Sequence, residues 1–293
     1  DIVGITAAMM RPVGLGPMHE AYPGRVIDVG IAEAEAVASA AGMAYQGAHP
    51  VVALYATFLN RGFDQLLMDV ALHRAGVTFV LDRAGVTGAD GASHNGVWDI
   101  AMCSMIPGLR LAAPRDEETL RARLREALDV DDAPTVIRYR KGSLPEPMPA
   151  LRSVGGVDIL FDEAVAHSSA RVLIVGTGAC APDAIEAARR LSADGVSVTV
   201  ADPQWMIPVC PELATLARDY DCVVSVEDGI VQGGFGWSLR DAVAEAGVPV
   251  RCLGVPQGFP EHGDRGAMIA QFGFDADGIE RAARELVERI SNR

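Results

Sequence analysis

The sequence predicts an α/β protein of two domains, each built on a largely parallel sheet covered by helices. Three observations predict it. Short apolar runs alternate with helix-length stretches along most of the chain, the pattern of strands buried on both faces. The 293 residues are 49 % apolar but only 5 % aromatic, and small apolar residues let helices sit close on sheets. A Pro- and Gly-rich stretch without periodicity, over 142–156, interrupts the alternation and reads as a connection. The expected division is a first domain over 1–145, a linker over 146–156 and a second domain over 157–293.

In the first domain, strands are expected at 2–6 (I-V-G-I-T), 26–29 (V-I-D-V) and 51–55 (V-V-A-L-Y), then at 77–81 (V-T-F-V-L), 110–112 and 134–138. Between them an Ala-rich run predicts a helix over 32–46. Thr57 is a suitable N-cap for a second helix over 57–74, and two more follow over 97–105 and 116–128. The second domain restarts at 171–175 (R-V-L-I-V), with further strands near 197–201, 222–226 and 250–253. Its helices are expected near 182–193, 211–218, 234–246 and 277–290. Gly176-Thr177-Gly178, Ala181 and Asp202 together match a dinucleotide-binding pattern. A tight strand-to-helix turn uses the same glycines, and that plainer reading is preferred. No internal repeat is evident.

The formal net charge of −14 argues against a general nucleic-acid binder, which wants a basic face. An anionic substrate would need a local basic cluster working against this field. The five cysteines are scattered and never spaced C-x-x-C, so they read as small buried apolar residues. No run reaches transmembrane length and no signal peptide is visible, so no membrane role is expected and the cytoplasm is the default location. The chain opens directly on a strand-like run without an initiator Met, as though cut from a longer protein.

Chemistry concentrates in D-R-A-G-V-T-G-A-D-G-A-S-H-N-G, residues 82–96. Loops at strand ends of open α/β sheets are where ligands sit. Asp82, Arg83, Asp90 and His94 offer charge and a group titrating near neutrality. Elsewhere, Glu33 stands between an apolar strand and an Ala-rich helix. An acid there favours the helix dipole, or serves as a partly buried carboxylate for proton chemistry. Phe58 and Arg61, three apart, share one helix face just after Tyr55. They could stack on a flat heterocycle, or be a core ring beside a snorkelling cation.

G-I-A-E, Y-A-T-F-L-N-R-G-F-D-Q, the 82–96 loop, P-G-L-R-L-A-A-P-R-D and R-Y-R-K-G, taken together, resemble the 1-deoxy-D-xylulose-5-phosphate synthases. These are thiamine-diphosphate enzymes of the transketolase superfamily. A-D-P-Q-W-M-I-P-V, S-V-E-D-G-I-V-Q-G-G-F-G and G-V-P-Q-G-F-P-E-H-G are similar to that family's carboxy-terminal domain. The resemblance implies a transketolase-like fold limited to the pyrimidine-binding and carboxy-terminal domains. It implies that Glu33 hydrogen-bonds the aminopyrimidine ring and helps remove the thiazolium C2 proton. Phe58 would stack on the pyrimidine, with Arg61 beside it. Tyr55, Arg83, Asp90, His94 and Lys141 would lie on the substrate side. Arg83 and Lys141 would hold the phosphate of glyceraldehyde 3-phosphate, the acceptor for pyruvate, while Asp90 and His94 would handle hydroxyls and protons.

Two departures stand out. The family's Glu-Gln-His becomes Glu33-Ala34-Glu35 here, and a second acid close to Glu33 is expected to oppose its ionisation. The family's G-D-G and downstream Asn, which bind Mg²⁺ and the diphosphate, are not found in this chain. No metal ligand is therefore assigned; those ligands are expected in a missing amino-terminal domain or a companion chain. The whole enzyme is expected to be a homodimer feeding isoprenoid and thiamine biosynthesis, with this chain inactive alone. Two alternatives stay open: a subunit of a split transketolase-like enzyme, and a non-catalytic protein of the same fold.

Overall fold

A computed structural model describes residues 1–292. Six strands make the first sheet: β1 (Ile2–Thr6), β2 (Val26–Asp28), β3 (His49–Tyr55), β4 (Thr78–Ala84), β5 (Arg110–Ala112) and β6 (Thr135–Arg140). They are ordered β2-β1-β3-β4-β6-β5 and all run parallel. The central strands are buried on both faces, so Val52, Leu54, Phe79 and Leu81 are fully enclosed. Helices α1 (Gly16–Ala21), α2 (Glu33–Ala44), α3 (Phe63–Gln65), α4 (Asp99–Ser104) and α5 (Glu117–Leu128) lie along the connections.

The continuous helix expected over 57–74 is not one helix. Residues Ala56–Gly62 form 3₁₀ turns, Phe63–Gln65 is α-helical and Leu66–Ala71 is a π-turn. Close packing accompanies the irregularity. A Cβ on Gly62 would stand 2.7 Å from Val37 Cγ2 and 3.3 Å from the Glu33 carbonyl oxygen. The glycine therefore lets this segment press against the start of α2.

The second sheet contains β7 (Arg152–Val154), β8 (Val157–Glu163), β9 (Arg171–Gly176), β10 (Ser197–Pro203), β11 (Cys222–Ile230) and β12 (Val250–Val255). Its order is β12-β11-β9-β10-β8-β7, parallel through the first four, with β8 antiparallel to both β10 and β7. Strand β7 falls inside the 146–156 stretch. Helices α6 (Ala181–Ala193), α7 (Pro211–Ala217), α8 (Phe235–Ala242), α9 (Arg265–Phe272) and α10 (Ala276–Ser291) complete this half. All five cysteines are free thiols, three of them buried. No helix of the described residues is long and apolar enough to cross a membrane.

The halves share an apolar core that runs from Leu109 and Ala113 to Val175, Met206 and Phe235. Main-chain bonds reinforce it: Leu111 N–H donates to Ile207 O at 2.9 Å, and Met206 N–H to Leu111 O at 2.8 Å.

Candidate active site

The site begins with a break in register. Leu81 of β4 faces Arg138 of β6, but Ala84 faces Arg140. Two β4 residues, Asp82 and Arg83, thus occupy the place of one, and such a bulge re-aims a side chain. Arg83 adopts a left-handed φ of 57°, uncommon for a residue with a Cβ. Its own N–H donates to Asp82 Oδ1 at 2.6 Å. Burial pushes the Asp82 carboxyl up, against that hydrogen bond and the nearby Arg83 and Lys141 charges.

Arg83 and Lys141, from the ends of neighbouring parallel strands, converge on one carboxylate. Arg83 Nη1 donates to Asp90 Oδ2 at 3.0 Å, and Lys141 Nζ to Asp90 Oδ1 at 2.7 Å. The Lys141 hydrogen bond leads the effects that hold Asp90 below the usual carboxylate range. The Arg83 guanidinium lies 4.2 Å from the Tyr55 ring centre, a cation–π arrangement. Tyr55 stacks on Phe58 at 6.0 Å, and Phe58 meets the His94 ring edge-on at 5.6 Å. Six of the expected residues (Tyr55, Phe58, Arg83, Asp90, His94 and Lys141) therefore form one chain of contacts.

The loop bearing Asp90 and His94 is held by its own backbone. Gly85 and Gly96 exchange main-chain hydrogen bonds of 2.7 and 2.9 Å, closing it at the neck. A Cβ on Gly96 would approach the Arg83 carbonyl oxygen to 2.5 Å, so only glycine fits. Fully buried Asn95 accepts from Thr87 N–H at 2.8 Å and donates to Gly91 O at 3.0 Å. Thr57 Oγ1 donates to Ser93 O at 2.9 Å, tying the loop to the turn after β3. His94 Nδ1 lies 2.9 Å from Ser93 Oγ. Asn95 was not singled out from the sequence, where its signal was only its place in this dense loop; Asp82 was noted there for its charge, not for holding the Arg83 backbone.

Glu33 is the first residue of α2, buried at 5 % exposure, behind an Ala32 cap that offers no side-chain hydrogen bond. Arg61 is exposed on the 3₁₀ turn that carries Phe58. Both stand on elements that adjoin the six-residue chain, outside its contacts. Glu35 points elsewhere: it is exposed and accepts from Ser39 Oγ at 2.8 Å. Residues two apart do not share a helix face, so Glu33 and Glu35 project from α2 in different directions. A buried carboxylate at α2 and the Phe58 ring fit the polar edge and flat face of an aminopyrimidine. Among the described residues no cluster of three or more acids, histidines or cysteines could hold a metal ion.

The dinucleotide-like turn has another use. A Cβ on Gly176 would meet the Ala184 Cβ at 2.6 Å, and one on Gly178 the Ala113 carbonyl oxygen at 2.7 Å. Asp202, the would-be ribose ligand, is buried and accepts from Arg115 Nη1 at 3.1 Å. Gly176 thus seats α6 on β9, while Gly178 and Asp202 pack the halves together. Arg138 does so as well: it is 2 % exposed, with Nε donating to Asp99 Oδ2 at 2.7 Å and Nη1 to Asp228 Oδ1 across the join.

Two largely parallel sheets with a loop-borne charge cluster at the strand ends make this a two-sheet α/β protein. Residues 1–147 match the family model "Transketolase, pyrimidine binding domain", and residues 163–279 match "Transketolase, C-terminal domain". The chain belongs to the transketolase family. It is 54 % identical to 1-deoxy-D-xylulose-5-phosphate synthase 2 of Kitasatospora griseola, aligned over 99 % of this chain and 47 % of that protein. It is 52 % identical to the Streptomyces avermitilis protein of the same name, over 100 % and 46 % respectively. The chain thus spans about half the length of the curated relatives it matches. Among solved structures, a split gene transketolase, an inactive beta4 tetramer, superposes with TM-score 0.83 at 27 % identity, covering 98 % of this chain and 92 % of that one. Transketolase from Leishmania mexicana shares the fold, with TM-score 0.79 at 23 % identity, over 99 % and 43 %.

Proposed function

We propose that this chain supplies the pyrimidine-binding and C-terminal parts of a 1-deoxy-D-xylulose-5-phosphate synthase, an enzyme that joins pyruvate to glyceraldehyde 3-phosphate with loss of CO₂. The observation that carries the reading is the convergence of Arg83 and Lys141 on Asp90 at the ends of β4 and β6. Thiamine diphosphate, when bound, supplies the reactive carbon for decarboxylation and carbon–carbon bond formation. Glu33 holds the exchangeable proton at the aminopyrimidine ring, Phe58 packs against the ring face and Arg61 borders it. Arg83 and Lys141 hold the acceptor phosphate through charge-assisted hydrogen bonds. Tyr55 backs the Arg83 guanidinium, while Asp90 and His94 meet the substrate hydroxyls. Mg²⁺ and the diphosphate are assigned to a further domain or a companion chain. The division at 1–145, 146–156 and 157–293, a homodimeric assembly and a cytoplasmic location belong to the same proposal.

A second reading, one subunit of a split transketolase-like enzyme, draws support from the split gene transketolase of matching length. One assay tests both. The chain is combined with a diphosphate-binding half, in one polypeptide or as a companion chain, and given Mg²⁺ and thiamine diphosphate. Condensation of pyruvate with glyceraldehyde 3-phosphate is the expected result. Turnover only with ketose phosphate donors would favour the second reading, and cofactor binding without turnover would leave a non-catalytic role.

A further inference from the structure

A cavity of about 490 Å³ lies between the end of β6, the Asp228 segment of β11 and the start of α9. It is separate from the six-residue cluster, none of whose members lines it. Four arginines line it: Arg115, which Asp158 and Asp202 engage, and Arg138, Arg140 and Arg265. Arg138 is 2 % exposed, and its Nη2 has no hydrogen-bond partner. A buried unpartnered donor is costly. Arg265 anchors itself by donating Nε–H to Val86 O at 3.0 Å. Among the described residues neither Arg140 nor Arg265 is in an ion pair, although every other buried or half-buried arginine around the cavity is. Burial, and then the Arg265 charge, lower the Arg140 pKa. Asp228 acts on Arg140 in the opposite sense, and the Arg265 charge opposes the effect of burial on Asp183.

Apolar residues also line the cavity, among them Val13, Pro114, Leu120 and Leu144. Its volume suits a small organic molecule. Of the lining carboxylates, Asp116 caps α5, and Asp228 meets Arg138 through Oδ1 while its Oδ2 has no hydrogen-bond partner. Burial raises the pKa of both Asp82 and Asp183. We infer that this cavity is a second binding site, one that takes a small molecule with a phosphoryl head and an apolar body. A phosphoryl dianion offers three acceptor oxygens to Arg138, Arg140 and Arg265, whereas a carboxylate offers two. Asp82 links the site to the catalytic cluster. It lines the cavity, and its Oδ1 also accepts the Arg83 N–H at the bulge. An occupant there bears on the residue that fixes the Arg83 backbone.

Calorimetric titration of the chain with phenyl phosphate tests the inference, with inorganic phosphate and benzoate as separate arms. Phenyl phosphate should bind more tightly than either. Arg140→Ala and Arg265→Ala should each weaken it roughly tenfold or more, the worth of one charge-assisted hydrogen bond. Arg140→Gln keeps most of the side chain and should weaken it similarly at an unchanged Tm. Arg83→Ala and Lys141→Ala should leave this binding intact. No binding of phenyl phosphate, or binding unaffected at Arg140 and Arg265, would overturn the second site. Binding lost only in the Arg83 and Lys141 variants would also overturn it, placing the phosphate in the catalytic cluster and leaving the proposed reaction untouched.

Discussion

Lys141 Nζ stands 2.7 Å from Asp90 Oδ1, and this contact poises a cation at a strand end instead of releasing it to solvent. Asp90 holds Arg83 in the same way through its other oxygen. With one carboxylate shared between two cations, the cluster keeps a net positive charge in a chain of formal charge −14. An entering phosphate would therefore meet two oriented donors and one local attraction.

The first prediction follows from that arrangement. In the assembled enzyme, Arg83→Ala or Lys141→Ala should raise the KM for glyceraldehyde 3-phosphate by roughly ten- to a hundredfold, the worth of a charge-assisted hydrogen bond. The KM for pyruvate, which carries no phosphate, should change little. Steady-state kinetics with both substrates varied would check the split. Equal effects on both would make the two cations structural.

A second prediction concerns the joint between the halves. Arg138, Asp99 and Asp228 are 2 %, 0 % and 1 % exposed, and the arginine lies between the two acids. Arg138→Met would leave two buried carboxylates without their cation. Breaking such a group costs about 3–5 kcal/mol, so the variant should show a much lower denaturation midpoint in urea. Asp228→Asn keeps a carbonyl acceptor for Arg138 Nη1 and should cost less.

Most of this fold was legible because the central strands are apolar and flanked by helices of ordinary length. The β8–β7 hairpin was not. No element was expected over 157–163, yet Asp158 within β8 is buried and held by Arg115 Nη1 at 2.7 Å and Ser153 Oγ at 2.5 Å. A long-range ion pair of this kind leaves no local trace in a sequence. The helix over 57–74 failed for a related reason: the contact of Gly62 with Val37 and Glu33 spans elements distant along the chain. Tyr55, Phe58, Arg83, Asp90, His94 and Lys141 were named as site residues from their motifs. The bulge that turns Arg83 and the Asn95 brace inside the loop are properties of the folded backbone. The cavity beside Arg140 and Arg265 could not be read either, since it joins residues from opposite halves.

The third prediction is a pH dependence. Glu227 is 1 % exposed and accepts from Phe235 N–H and Gly236 N–H, both at 2.9 Å, at the start of α8. Burial outweighs those bonds and pushes its pKa up to about 7. Asp202 is likewise pushed up to about 7 by burial, despite Arg115. A carboxyl raised on folding contributes stability that is complete below its unfolded pKa and is lost as pH rises through its folded one. Stability should therefore fall as pH rises from about 4 to about 7, by roughly 3–4 kcal/mol per group at most. Thermal melts across this range should show the decline. Glu227→Gln should flatten it, whatever its effect on the absolute Tm. An unchanged slope would mean that Glu227 is ionised throughout.

The fourth prediction separates Glu33 from Glu35. Glu33 is buried at the start of α2, against the turn that bears Phe58, whereas Glu35 is exposed and bonded to Ser39. Under the proposed function, only Glu33 exchanges a proton with the aminopyrimidine. Glu33→Gln retains a hydrogen-bonding group of nearly the same shape but cannot take up or release that proton. The rate of thiamine C2–H exchange, followed by NMR in the assembled enzyme, should then fall on the order of a hundredfold or more, as general acid–base catalysis requires. The Tm should change little. Glu35→Gln should leave exchange near normal, because residues two apart project from different helix faces. Normal exchange in Glu33→Gln would reduce Glu33 to an acid that favours the helix dipole, and a loss in Glu35→Gln instead would move the proton-transfer role to the residue that departs from the family pattern.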